Sequence, residues 1–151
     1  MREYLDDAKE ELKRADHLIY VSLKYTRTVD IIKHTIERLI LAFDHVFLGF
    51  LEKAKKEGKI LEIVNAPAKK CEDILKLYPG EDEITKSIAF YLLLRKLDRA
   101  KFERISEFRR HVAMISEIGG EKYSIDIDKI NEYYDSTKKF VSYVEENHLI
   151  K

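Results

Sequence analysis

Apolar residues recur along most of this chain at intervals of three and four positions, the spacing that places them on one side of an α-helix. Only five glycines and two prolines interrupt the pattern. We therefore predict an all-α fold. The length of 151 residues suits one domain, over residues 1–151, folded as an up-and-down bundle of about five to six helices.

The first half of the chain predicts two long helices. The first covers residues 3–23, and the second, the longest and most apolar, covers residues 29–57 and ends at Gly58. Thr26 and Thr28 lie between them and carry hydroxyl groups suited to capping a helix N-terminus. The second helix has large apolar residues on more than one face, so we expect it to form the centre of the core.

The second half predicts shorter helices. One begins near Pro67 and is ended by Pro79-Gly80, and the next is opened by acidic residues from Glu81 and continues towards Leu97. The pattern leaves open whether it breaks before Phe102.

A further helix is predicted over residues 102–118, with a stop at Gly119-Gly120. Asp126 or Asp128 can cap the last helix. The core stripe predicted for 102–118 consists of Ile105, Phe108, Val112 and Ile115.

Composition adds a prediction about the source and the compartment. Charged residues make up 37% of the chain, Gln is absent and Asn occurs three times, a usage typical of thermophilic proteins. We expect a heat-loving archaeon or bacterium. The lone cysteine, Cys71, cannot form an internal disulfide. The N-terminus is charged and no window is apolar enough for a membrane helix, so we expect a cytoplasmic protein.

Positive charge is concentrated late in the chain, although the formal net charge is zero. Between Arg95 and His111 there are seven Lys and Arg side chains and three acids, a net charge of +4. A local excess of this kind favours an anionic partner such as RNA. The candidate RNA-binding residues are Arg99, Lys101, Arg109 and Arg110.

Arg104 and His111 lie in this basic stretch, in the sequence RISEFRRHVAMI. On a helix, residues seven apart are separated by about 10.5 Å along the axis and roughly 20° around it, so both would project from one face. Histidine can exchange a proton with a ribose 2′-hydroxyl or a leaving oxygen, and arginine can hold the phosphate. Two such pairs related by a two-fold axis would supply an acid, a base and a phosphate clamp without a metal.

The Arg-x6-His arrangement, in the context ERISEFRRHVAMI followed by YSIDIDKINEYYDSTKKFVSYVE, resembles the HEPN superfamily of small helical bundles. The resemblance implies a homodimer and a metal-independent endoribonuclease, often a toxin, with a nucleotidyltransferase antitoxin as partner. It implies that His111 is the catalytic base or acid and Arg104 the phosphate ligand. No cofactor and no metal ligand is expected.

Other interpretations remain open. Arg27 with His34, at the start of the second predicted helix, and Arg38 with His45, within it, show the same spacing. Glu145 and His148 form one Glu-x-x-His pair, but di-iron bundles require two. The alternative function is a non-catalytic helical module that binds a partner protein, such as a nucleotidyltransferase, or a nucleotide.

Overall fold

The structure, a computed structural model, describes residues 1–149 and contains both helices and a small sheet. The last two residues of the predicted domain lie outside the described range. Five helices of 11 to 28 residues account for most of the chain. They are α1 (Arg2–His17), α3 (Val29–Lys56), α4 (Pro67–Leu77), α5 (Asp82–Arg99) and α6 (Ile127–His148).

The first predicted helix is confirmed, but its last turns depart from α-helical geometry. A π-helical segment, Leu18–Ser22, follows α1 directly and leads into a single helical turn, α2 (Leu23–Tyr25). π-Helical turns are rare and occur frequently at functional sites.

Helix α3 forms the centre of the molecule, as its apolar pattern predicts. It packs against α1, α4, α5 and α6 and against the second strand of the sheet. Phe43 is fully buried in α3, and its ring lies 5.2 Å from that of Phe140 on α6 and 5.8 Å from that of Tyr91 on α5. Aromatic pairs at these distances add to the stabilisation that burial provides.

The residues predicted to begin the later helices lie in the first turns or the N-cap positions of those helices. Helix α4 has Pro67 in its first turn, and α5 carries Asp82 and Glu83 in its first turn. The carboxylate of Asp126 accepts a hydrogen bond of 2.8 Å from the backbone N–H of Lys129 and so caps α6.

The predicted helix over residues 102–118 is wrong, and the fold is therefore not purely all-α. This stretch forms strands β1 (Phe102–Ile105) and β2 (Ala113–Ile118), joined by a loop. With β3 (Glu121–Ile125) they form an antiparallel sheet of order β1-β2-β3. Gly119 and Gly120 both have positive φ and connect β2 to β3, with Ile118 paired to Glu121. The two glycines therefore form a tight hairpin turn instead of ending a helix.

No helix within residues 1–149 is long and apolar enough to cross a membrane.

Candidate nucleic-acid interface

The structure places Arg104 and His111 on a β-hairpin and not on one face of a helix. Arg104 lies in β1 and pairs with Met114 of β2, while His111 lies in the loop 106–112 that joins the two strands. The helical geometry predicted for this pair is therefore wrong. Their roles in catalysis remain a prediction.

The guanidinium of Arg104 is held by two carboxylates. It donates hydrogen bonds to Asp30 Oδ1 at 2.8 Å and to Glu107 Oε2 at 3.5 Å. It also lies over the ring of Phe102, 5.2 Å from the ring centroid. The hydrogen bond from Arg104, together with its charge, lowers the pKa of the Asp30 carboxyl although the group is exposed. In this arrangement Arg104 ties the hairpin to α3.

Glu107 and Phe108 attach the hairpin loop to the start of α3. Glu107 Oε2 accepts a hydrogen bond of 3.0 Å from the backbone N–H of Val29, the first residue of α3. The negative charge therefore lies at the positive end of the helix dipole, a favourable position. The backbone N–H of Phe108 donates to the carbonyl oxygen of Arg27 at 2.6 Å. The loop thus has a defined position.

Phe108 has an unusual backbone conformation and an exposed side chain. Its φ is 65°, and 74% of the residue is accessible to solvent. A positive φ is a genuine outlier for a bulky residue and costs of order 1–3 kcal/mol, so such residues are often found at functional sites. Burial of an apolar ring does not account for this cost, because the ring faces solvent.

Basic side chains follow Phe108 in the loop. Arg109, Arg110 and His111 are all exposed in the loop. Arg27, whose carbonyl oxygen accepts the hydrogen bond from Phe108, is two residues after Tyr25, and Tyr25 is 79% exposed. We call this group the hairpin surface; it consists of Tyr25, Arg27, Phe108, Arg109, Arg110 and His111.

The other two predicted RNA-binding residues lie elsewhere. Arg99 is the last residue of α5, and Lys101 precedes β1. The carbonyl oxygen of Lys101 accepts a hydrogen bond from Ser116 Oγ at 3.1 Å. The full length of β1, roughly 13 Å, separates Lys101 from the loop. The fold therefore brings Arg109 and Arg110 together with His111 but does not add Arg99 or Lys101.

Sequence reasoning missed the exposed ring of Phe108. On a helix, Phe108 would share a core stripe with Ile105, Val112 and Ile115, but only Val112 of these is fully buried, and Ile105 is 41% exposed. The error follows from the wrong secondary structure, because a loop residue has no fixed direction that periodicity could reveal.

Within residues 1–149, no three His, Cys, Asp or Glu side chains converge as a candidate metal site. Burial raises the pKa of the Cys71 thiol to about 11, so at neutral pH Cys71 carries little of the thiolate that nucleophilic chemistry requires.

Comparison of the chain with family models, curated proteins and solved structures gives no match.

Proposed function

We propose that the protein binds single-stranded RNA through the hairpin surface. The observation that carries this proposal is the ring of Phe108, which is held in solvent by a constrained backbone beside exposed basic residues. Single-stranded nucleic acids are bound by basic surfaces that follow the phosphates and by aromatic rings on which bases stack. RNA bases are recognised mainly where they are unpaired and accessible to such rings.

The charges of the loop fit this proposal. Arg109 and Arg110 are exposed and form no ion pair within the described residues, so both can contact phosphate. Arg104 is already bound to Asp30 and Glu107. We therefore assign phosphate contacts to Arg109 and Arg110 first, and the positioning of the hairpin to Arg104.

A more specific proposal is that the protein also cleaves RNA, and it rests on the resemblance to the HEPN superfamily. His111 would take the proton of a 2′-hydroxyl or protonate the leaving oxygen. Arg104 would release one of its two carboxylate partners and bind the phosphate in its place. One subunit supplies one imidazole here, whereas the reaction uses an acid and a base. Cleavage at this site therefore requires a homodimer in which two hairpin surfaces face each other.

RNA binding can be tested by fluorescence anisotropy with a short unstructured RNA over a range of salt concentrations. The double variant Arg109→Ala, Arg110→Ala should bind more weakly. The negative slope of log K, the association constant, against log salt should become shallower by about 1.4, since each phosphate contact to a single strand contributes about 0.7. Phe108→Ala should weaken binding by about 1–3 kcal/mol with the slope unchanged, because stacking releases no counterions.

A matched control is available on α6. Lys138 and Lys139 are also adjacent and exposed, so Lys138→Ala, Lys139→Ala removes the same charge from another surface. An equal loss of affinity in both double variants would show that only net charge matters, and the proposed surface would be wrong.

Cleavage has a separate test. A mixed RNA pool is incubated in EDTA with the wild type and with His111→Ala, and product ends are analysed. The expected products carry 2′,3′-cyclic phosphate, disappear in the variant and depend on a dimer in sedimentation. Intact RNA with a folded wild-type dimer would leave binding as the function and reject the nuclease.

The second candidate is a helical module that binds a protein, such as a nucleotidyltransferase. The exposure of Tyr25 and Phe108, at 79% and 74%, favours it, because aromatic residues are enriched at protein interfaces. The salt dependence of affinity distinguishes protein binding from RNA binding, since the affinity of a mainly apolar contact would change little with salt.

A further inference from the structure

A cleft of about 510 Å³ lies between α1 and α3. Four of the side chains that line it are cationic or can become so: Arg14 and His17 from α1, and His34 and Arg38 from α3. Residues 14 and 17, like 34 and 38, are separated by about one helical turn, so each pair projects from one face of its helix. These four residues lie outside the basic stretch between Arg95 and His111 from which the RNA-binding candidates were taken.

A buried carboxylate fixes the two arginines. Glu11 is only 6% exposed and accepts hydrogen bonds from Arg14 Nη1 at 2.8 Å and from Arg38 Nη1 at 3.2 Å. A buried charge is costly unless it is paired, so the arginines are needed to stabilise Glu11. Each guanidinium has five N–H groups, and the contacts found within residues 1–149 use one nitrogen of each. Both arginines therefore keep donors for a ligand while their positions are restrained.

The backbone next to the cleft is irregular on one side. The π-helical segment begins at Leu18, immediately after His17, and Leu18 itself lines the cleft. π-Helical turns are rare and occur frequently at functional sites. The π-helical segment is an observation independent of the charges.

Helix α3 connects the cleft to the strand that carries Arg104. His34 lies one turn after Asp30, and Asp30 binds Arg104 of the hairpin. The hydrogen bond from Arg104 is the main cause that lowers the pKa of Asp30, and the charge of His34 makes a smaller contribution in the same direction.

We propose that this cleft binds a phosphate group, with Arg14 and Arg38 as the ligands of its oxygens and His17 and His34 as additional donors. Guanidinium groups bind phosphate through charge-assisted hydrogen bonds, and imidazole donates to it when protonated. Glu37 also lines the cleft and would repel the anion. The phosphate can belong to a mononucleotide or to an RNA strand. The inference rests on the cleft alone and does not depend on RNA binding by the hairpin surface.

The test uses the rings of the five histidines as reporters in NMR spectra of the whole protein at constant pH and ionic strength. Orthophosphate, AMP and a short RNA are added separately, with chloride as the reference anion. The signals of His17 and His34 should shift saturably at lower ligand concentrations than those of His45 and His148, which line neither the cleft nor the hairpin surface. If orthophosphate or AMP saturates the shifts of His17 and His34, the cleft binds a small molecule. If only RNA saturates them, the cleft binds a phosphate in the backbone of a strand.

Two variants test the chemistry. His17→Ala, His34→Ala changes exposed residues and should weaken binding of the saturating probe at least fivefold, since hydrogen bonds to charged groups are the strong ones. Glu37→Gln should strengthen it, because a neutral amide replaces the repelling carboxylate.

The inference is overturned if His17 and His34 respond to none of the probes, or no more than His45 and His148 do. It is also overturned if Glu37→Gln leaves affinity unchanged while the double histidine variant retains full binding. Because the reporters lie in the cleft, a negative result there leaves RNA binding by Phe108 and Arg109 to its own test.

Discussion

At the scale of single residues, Glu107 connects the hairpin to the bundle in two ways. Its carboxylate accepts the backbone N–H of Val29 at 3.0 Å and lies 3.5 Å from the guanidinium of Arg104. Thr28, the residue in the N-cap position of α3, makes no side-chain hydrogen bond to the helix. Glu107, which is 78 positions from Val29, thus caps the helix in place of the local hydroxyl.

We expect Glu107→Ala to lower the free energy of unfolding by about 1–2 kcal/mol, the usual effect of losing a helix cap. Urea denaturation monitored by circular dichroism measures it. Glu103→Ala is the matched control, because Glu103 is an exposed carboxylate on β1 and should change stability by less than about 0.5 kcal/mol. Equal effects would mean that Glu107 acts only as a surface charge.

The Asp30 carboxylate predicts part of the response to acid. Its pKa is lowered in the folded protein, mainly by the hydrogen bond from Arg104. Its contribution to stability is therefore complete above the unfolded pKa near 4 and is lost as the pH falls through the lower folded value. In Asp30→Asn this contribution is absent at every pH.

Melting temperatures of the wild type and Asp30→Asn between pH 2 and 6 measure this effect. The difference between the two proteins should be largest near pH 6 and shrink towards pH 2. Glu145, whose pKa is also lowered, chiefly by Lys9, remains in both proteins and serves as the common background. A difference that stays constant over the whole range would contradict the assignment to Asp30.

At the scale of elements, the sequence predicted the helices well and missed the sheet. The bounds of α3 and the Asp126 cap of α6 agree closely with the expectation, because long amphipathic patterns and side-chain caps are local signals. Residues 102–118 fit three- and four-residue spacing too, but their strands are stabilised by partners across the sheet. Short apolar segments are ambiguous between helix and strand for this reason.

Gly119-Gly120 held the overlooked signal, since two glycines between short segments suit a two-residue hairpin as well as a helix stop. Gly120 has φ of 82°, so Gly120→Ala should destabilise the protein by about 1–2 kcal/mol. Gly119→Asn should be close to neutral, because Asn-Gly is the preferred pair in such turns. Thermal and urea unfolding of the two variants provide the comparison, and equal losses would contradict the turn geometry.

At the scale of the whole molecule, one core joins all five long helices and the sheet. Val112 and Met114 of the hairpin and Ile125 of β3 belong to the same buried cluster as α3 and its neighbours. The hairpin is therefore part of the domain and not an appendage. A single core predicts one cooperative unfolding transition.

The two phenylalanines Phe43 and Phe108 give a direct contrast within this molecule. Phe43→Ala should lower the free energy of unfolding by about 3–5 kcal/mol, because it leaves a cavity beside Phe140 and Tyr91. Phe108→Ala should change it by less than about 1 kcal/mol, since the ring is in solvent. Should Phe43→Ala fail to fold, Phe43→Leu keeps the comparison, with a smaller loss expected.

Unfolding of both variants is followed by calorimetry and urea titration. A large loss in Phe108→Ala would show that the loop ring supports the fold, which would remove the main observation behind RNA binding.

The sequence by itself determined the helices, the central place of α3 and the basic stretch that includes Arg109 and Arg110, because periodicity, caps and charge are properties of neighbouring residues. Only the tertiary structure decided that Arg104 and His111 lie on a β-hairpin, that Phe108 faces solvent, and that Arg14 and Arg38 share the buried carboxylate of Glu11. The pairing of β1 with β2 and the ion pair of Arg38 with Glu11 depend on residues that are separated in the chain, so the periodicity of neighbouring residues did not reveal them.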